Sequence, residues 1–359
     1  MNMKRSRILA ALLCLTLVAG LFSGCQKKPT EPAVSTPGAS SSQKPNPSQP
    51  DVSEPAAEQT KINFTVLSGP TGVGAAYLMD NYGASASPAD CPIALNSTVV
   101  ADNSEVMAAL TSGETDIAAI ATNVASTLYN KTEGKVTMLA VNTLGVLYIL
   151  EKGDSVQSMA DLKGKTIYAA GQGANPEYIL NYLLTENGVD PASDVTIEWL
   201  TAQEITAKMA SSEDGVCMLP VPAATALLMK DTGVRQALDL SAEWDQVSSS
   251  PLAMGCIVAR TEFIQEHPEA VDAFLDLYGD SISFMSAPNN IEDAAELVAK
   301  YEITANAQIA KNAIPQCNLT CLTGAEMRET IQNYFTVLNA ANPAAIGGAM
   351  PYDNFYYLP

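Results

Sequence analysis

Apolar and polar positions alternate over residues 62–67 and stop at Ser68-Gly69-Pro70-Thr71-Gly72, which predicts a strand ending in a glycine-rich turn. An apolar helical stretch follows at 73–79. Further strands are predicted at 93–100, 116–120, 136–142 and 146–151. Helices are predicted at 103–110, capped by Asp102 or Asn103, and from Thr122 through Tyr129. The order then restarts. A strand at 166–170 opens onto Gly171-Gln172-Gly173-Ala174-Asn175-Pro176, and a helix runs over 176–186. A strand at 195–200, a helix at 202–210, a strand at 215–219 and a helix from Pro220-Val221-Pro222 to Lys230 complete the second series. Past Pro251 a strand at 252–260 leads into helices at 262–266, 268–285, 291–301 and 324–339, where Thr323 and Glu326 have capping-box spacing.

The two series match each other. Residues 107–117 read helix, glycine turn, strand, and residues 207–217 read the same way. From Gly69 to Asn123 is 54 residues and from Gly171 to Pro222 is 51. Two similar βαβαβ halves fit two lobes, each aiming helix N-termini at one cleft.

Upstream of residue 61 the pattern changes twice. A basic head with Lys4, Arg5 and Arg7 precedes an apolar run at 8–21, too short for a membrane span and flanked as a secretory signal is. Phe22-Ser23-Gly24-Cys25 then resembles the bacterial lipobox, with Phe where Leu is commoner, which implies cleavage before Cys25 and acylation of its thiol. Residues 26–60 hold seven prolines, six serines and no Leu, Ile, Met or aromatic residue, so they cannot build a core and read as a tether. The expected organisation is a signal peptide at 1–24, the lipidated cysteine and linker at 25–60, and a folded part from about Lys61.

Composition narrows the function. The 19 basic and 39 acidic residues give a formal net charge of −20, which repels phosphate backbones and excludes nucleic-acid binding. A single histidine, His267 in Glu266-His267-Pro268, leaves no histidine-based metal site and no cofactor is expected. No G-x-G-x-x-G, G-x-S-x-G or H-E-x-x-H motif occurs, and no G-K-[ST] ends either glycine-rich loop. Beyond Cys25 stand Cys91, Cys217, Cys256, Cys317 and Cys321, an odd number, so at least one is free or paired with another molecule. Cys217 and Cys256 lie in apolar runs and read as core. Cys317 and Cys321 either close a small disulfide loop or remain thiols.

The strand-to-helix loops are where small ligands bind in open α/β sheets. Gly69, Gly72, Gly171 and Gly173 present backbone without a Cβ, and Asn123, Gln172 and Asn175 hydrogen-bond while staying neutral. Tyr77, Tyr148 and Tyr178 lie within a turn of these loops and either stack on a ligand or belong to the core. The aromatic end Asp353-Asn354-Phe355-Tyr356-Tyr357 is expected to pack back on the body.

Taken in order, several segments form one recognisable series. They are Ser68-Gly69-Pro70-Thr71-Gly72, residues 116–123, Asn142-Thr143-Leu144-Gly145-Val146-Leu147-Tyr148, residues 161–168, Gly171-Gln172-Gly173-Ala174-Asn175-Pro176-Glu177-Tyr178 and residues 353–357. The series resembles the lipoprotein solute-binding subunits of ABC importers in the nitrate/sulfonate/taurine and thiamine-pyrimidine-precursor group. The resemblance covers residues 61–359. It implies an α/β, two-lobed type II periplasmic-binding-protein fold, each lobe a mixed sheet flanked by helices, with two hinge crossings. Lobe 1 is expected at 61–150 plus 251–359 and lobe 2 at 152–248. The implied ligand-binding residues are Gly69, Pro70, Thr71, Thr122, Asn123, Thr143, Gly145, Gly171, Gln172, Gly173 and Asn175. The implied partners are one small molecule, a permease and ATPase, and a membrane reached through the lipid anchor; a monomer is expected. One position departs from the pattern, because relatives commonly read Leu-Pro-Glu-Pro where this chain has Leu219-Pro220-Val221-Pro222. Two other readings remain: a ligand-sensing receptor subunit, and an enzyme like the pyrimidine synthase of this fold, which uses a histidine and a cysteine-rich motif.

Overall fold

A computed structural model describes residues 59–359; the signal peptide, Cys25 and all but the last two residues of the expected linker lie outside the described residues. The first series forms β1 (Thr60–Leu67), α1 (Pro70–Val73), α2 (Ala76–Asn81), β2 (Ile93–Val100), α3 (Asn103–Ser112), β3 (Ile117–Ala121), α4 (Thr122–Lys131) and β4 (Val136–Thr143). The second forms β5 (Leu147–Lys152), β6 (Thr166–Ala169), α5 (Asn175–Glu186), β7 (Thr196–Trp199), α6 (Ala202–Ser211), β8 (Gly215–Pro220), α7 (Ala223–Lys230), β9 (Val234–Asp239) and α8 (Leu240–Val247). The chain returns through β10 (Gly255–Arg260), α9 (Thr261–Glu266), α10 (Pro268–Ser286), α11 (Ile291–Lys300), α12 (Ala307–Ala313), β11 (Leu319–Thr323) and α13 (Gly324–Ala341). Among the described residues no helix is long and apolar enough to cross a membrane.

The strands make two sheets, ordered β11-β4-β10-β3-β1-β2 and β7-β6-β8-β5-β9. Without the added edge strand β11 the two orders are the same. In each, three parallel strands (β2-β1-β3, β7-β6-β8) are followed by an antiparallel strand, β10 or β5, that has just arrived from the other lobe. The internal duplication is therefore a duplication of topology. The chain crosses between sheets twice, at 144–146 and at 248–254. The lobe boundary expected at 150–152 moves to 144–146, because β5 pairs along its whole length with β8 and β9.

Period-2 alternation sets the core of lobe 1. Ile117 and Ala119 of β3 face one side with Phe64, Val66 and α10, whereas Ala118 and Ile120 face the other. Phe64 meets Phe274 edge-on with ring centroids 5.2 Å apart. The second cluster runs on through the crossings into lobe 2, so the two lobes share apolar packing.

Two local expectations change. The helix predicted at 73–79 is broken, because Ser281 Oγ inserts where a helical bond would close: it donates to Gly74 O at 2.7 Å and accepts from Leu78 N at 3.0 Å. The capping box at Thr323 does not form. Thr323 is held in β11 opposite Ala140, and Gly324 adopts a φ of 55°. The aromatic end does pack back: Phe355 and Tyr356 are buried and Tyr357 N donates to Met138 O. All five described cysteines are free thiols, with Cys217, Cys256 and Cys317 buried.

Candidate functional site

The loops singled out in the sequence follow β1, β3, β4 and β6, all at the ends of the sheets where the chain crosses between lobes. On the lobe 1 wall a polar cluster sits behind them. Asn142, the seventh residue of the fully buried β4, donates through Nδ2 to Thr71 O at 3.0 Å and to the Tyr278 hydroxyl at 2.9 Å. Its Oδ1 accepts from Thr143 Oγ1 at 3.1 Å. Gly255 closes the cluster, because a Cβ there would lie 2.6 Å from Asn142 Oδ1 and 2.8 Å from Thr71 Oγ1. Burial pushes the Tyr278 phenol well above its ordinary pKa, so it remains a neutral hydroxyl.

The N-terminus of α4 is occupied by the second crossing. Thr122 N donates to Met254 O at 3.2 Å and Thr122 Oγ1 to Ala253 O at 2.7 Å. Asn123, Ser126 and Asn130 recur at helical spacing on one face of α4 and bind carbonyls of the 345–349 segment. Asn123 Nδ2 thus ties down the tail, while its buried Oδ1 finds no partner among the described residues. Gly145 is a packing glycine: a Cβ there would collide with Ser241 Oγ.

The lobe 2 wall is open. Gly171, Gln172 and Gly173 are exposed, and both glycines hold left-handed backbone, with φ of 94° and 75°. Gly171 also needs its missing Cβ, which would lie 2.5 Å from Pro176 Cγ, whereas Gly173 has no neighbour within 4 Å of that position. Glu177 turns back in the first turn of α5, and its Oε2 accepts from Gly173 N at 2.6 Å. A carboxylate thus holds an amide at a helix N-terminus, a position whose partial positive charge suits an anion.

Asn175 behaves differently from its neighbours in the loop. It is buried, and Nδ2 donates to Thr122 Oγ1 at 2.9 Å and to Met254 O at 2.7 Å. Its Oδ1 accepts from the Tyr334 hydroxyl of α13 at 3.0 Å. The expected site residues therefore divide. Gly69 and Pro70 are half-buried and Gly171, Gln172 and Gly173 exposed, while Thr71, Thr122, Asn123, Thr143, Gly145 and Asn175 are buried and engaged with the protein itself. Tyr77 stacks on Phe284 at 4.2 Å, and Tyr148 is buried with its phenol pushed up to about 12 by burial and then by the nearby Asp239.

Asn142, Tyr278 and Tyr334 escaped the sequence reading as site residues. Asn142 is the one amide in an eight-residue buried strand, and that isolation was its signal. The tyrosines look like ordinary members of apolar helix faces. His267 caps α10 at an exposed helix junction, away from these loops. Among the described residues no group of His, Cys, Asp or Glu has the makings of a metal site.

The NMT1-like family model matches residues 87–299, more than half of the chain. The chain belongs to the NMT1-like family. The matched span runs from before β2 into α11, through both crossings. In Brucella abortus and Brucella suis, proteins named as binding proteins are 24% identical over 174 residues, 48% of this chain. The alignment takes in 52% of each of those proteins, so the chain spans about half the length of the curated relatives it matches.

Among solved structures, an ABC transporter protein from Parabacteroides distasonis superposes with a TM-score of 0.68 at 22% identity, covering 83% of this chain and 99% of the other. The periplasmic aliphatic sulphonate binding protein of Escherichia coli gives 0.63 at 15% identity, covering 83% and 92%. The periplasmic nitrate-binding protein of Synechocystis gives 0.56 at 15%, covering 80% and 82%. At these identities the likeness establishes the two-lobed periplasmic-binding-protein fold and leaves the ligand open.

Proposed function

We propose that this NMT1-like protein is the extracytoplasmic solute-binding subunit of an ABC importer. It holds one small polar organic molecule between its lobes and delivers it to a permease and its ATPase. The observation that carries this reading is the pair of sheets with one strand order, joined by two crossings at the ends where the strand-to-helix loops converge. A signal peptide at 1–24 directs export and is removed, acylation of Cys25 anchors the monomer to the membrane, and the Pro/Ser-rich linker that follows is its tether. Gly69, Pro70, Gly171, Gln172 and Gly173 are the residues that meet the ligand. A ligand-sensing receptor subunit would use the same cleft; the enzyme reading lacks a placed base, since His267 stands at a distant helix junction.

Glu177 sharpens the ligand class. Its carboxylate sits on Gly173 N, and Ser68–Gly72 and Gly171–Asn175 supply no Lys, Arg or His. A neutral or cationic molecule suits that wall better than a free nitrate or sulfonate. Native mass spectrometry of the purified protein, followed by denaturation, should release a bound small molecule. Calorimetry with a panel of sulfonates, taurine, nitrate and pyrimidine precursors then tests its class. Failure of every small molecule to bind would remove the reading.

A further inference from the structure

We infer that Asn175 and Tyr334 form a latch that holds the two lobes together. Tyr334 thereby acts as a positioning residue for the Gly171–Gly173 loop. Asn175 opens α5 of lobe 2, and its three hydrogen bonds all go to the other side: Thr122 Oγ1 on α4, Met254 O at the end of the second crossing, and the Tyr334 hydroxyl on α13. Both amide protons and one carbonyl lone pair are spent there, so this side chain serves closure instead of a ligand. Asn175 and Tyr334 are buried, where a neutral bond is strong and an unpaired group costly.

The α5–α13 seam opens to one side of the latch. Beyond the latch the same two helices part around a groove of about 620 Å³, lined by Tyr178, Tyr182, Val337 and Leu338. The polar node therefore adds directional bonds to the apolar packing that the two lobes share. Trp244 of α8 lies against the latch, with its ring centroid 5.6 Å from Tyr334 and its Nε1 donating to Ser250 O at 2.6 Å. A lobe 2 indole packed on a lobe 1 phenol is a built-in reporter of lobe separation.

The test adds no ligand and uses protein that native mass spectrometry shows to carry none, so its outcome does not depend on the proposed function. The chain has two tryptophans, and Trp199→Phe leaves Trp244 as the sole emitter. In that background Tyr334→Phe removes the latch hydroxyl and keeps the ring. Tyr129→Phe is the control, because the Tyr129 hydroxyl also bonds an asparagine Oδ1, that of Asn354, but within lobe 1. Tyr334→Phe should red-shift Trp244 emission, raise its acrylamide quenching about twofold and increase the radius of gyration in small-angle scattering. Loss of one bond should lower the closed-to-open ratio by roughly fivefold. Tyr129→Phe should lower the thermal midpoint and leave emission and scattering unchanged. Should Tyr334→Phe fail to fold, Thr122→Val cuts the latch from the lobe 1 side and is read by the same two signals. Emission and scattering unchanged in the latch variant, or shifted equally in the control, would overturn the latch.

Discussion

On the lobe 1 wall the polar residues that follow the strands are buried and bonded to one another; on the lobe 2 wall the corresponding loop is exposed and held by one carboxylate. Yet both walls rise from the same strand order. The difference lies in the helix after the first strand of each lobe's parallel trio. In lobe 1, Ser281 cuts the helix after β1 into two short pieces, and Asn142, Thr71 and Tyr278 fill the space behind the turn. In lobe 2 the helix after β6 is an unbroken 12 residues, and the Gly171–Gly173 loop before it is exposed. One topology thus supplies a rigid wall and an open one, and each can be tested by substitution.

The largest effect should come from Asn142→Ala. It removes the donor to Thr71 O and Tyr278 and the acceptor for Thr143 in a buried site. We expect a loss of about 3 kcal/mol, from the cost of leaving buried polar groups unpaired. Urea unfolding measures it; a loss below about 1 kcal/mol would mean that lobe 1 has no rigid polar wall.

Next come two glycines, one on each wall. Gly255→Ala drives a methyl into Asn142 Oδ1 and Thr71 Oγ1, and should cost about 2 kcal/mol. Gly173→Ala meets nothing within 4 Å, so only its φ of 75° opposes the change, at about 1 kcal/mol. The reverse ranking would show that the lobe 2 loop is the tighter of the two.

Much of this arrangement was legible in the sequence, for physical reasons that name themselves. Both βαβαβ series could be read because their strands are short apolar runs bounded by glycine turns. β9 and α8 were not read: Val234-Arg235-Gln236-Ala237-Leu238-Asp239 is a polar edge strand, and Arg235 is there to pair with Glu151 at 2.5 Å. Among the site loops, sequence marks which residues are neutral and hydrogen-bonding. It does not mark which of them the other lobe will claim. Asn175 and Gln172 look equally suited to a ligand, and only the distant Tyr334 and Met254 separate them. The Gly69-Pro70-Thr71-Gly72 turn carries a similar ambiguity, because the Cβ absent from Gly72 would strike Leu67 O at 2.5 Å, a contact within its own turn.

Lobe 2 also carries an acid-sensitive carboxylate at the far end of β5 from the crossing. In lobe 2 Glu151 is buried, and burial raises its pKa. Hydrogen bonds from Ser155 and Val156, with the Arg235 charge, outweigh that and hold the carboxyl below its usual range. A depressed folded pKa means stability that is present above the ordinary carboxylate value, near 4.5, and is lost as pH falls through the folded value. Thermal midpoints measured from pH 7 downward should therefore drop on the acid side. Glu151→Gln should be less stable at pH 7 and show a shallower acid limb. An acid limb of unchanged slope in that variant would assign the acid sensitivity elsewhere.

The smallest stability change, and the one that bears most on the ligand, belongs to Glu177→Gln. The glutamine oxygen can still accept from Gly173 N, so the loop keeps its shape and loses one negative charge. Stability should change by about 0.5 kcal/mol or less, the worth of one carboxylate near an exposed helix N-terminus. Affinity should respond in a way that depends on the ligand. A cationic molecule would bind several-fold more weakly, an anionic one several-fold more tightly, and a neutral one within about twofold. For a charged molecule the difference should shrink as salt is raised, because exposed charges are screened over roughly 8 Å at physiological ionic strength. Calorimetry on parent and variant at low and high salt, with ligand identified by mass spectrometry, separates the three cases. Tighter binding of an anion by Glu177→Gln, with the parent already binding it well, would mean that lobe 1 supplies the attraction and the open wall only tolerates the charge. Equal affinities at both salts would instead take Glu177 out of the ligand's reach and leave recognition on the lobe 2 side to the exposed backbone of Gly171–Gly173.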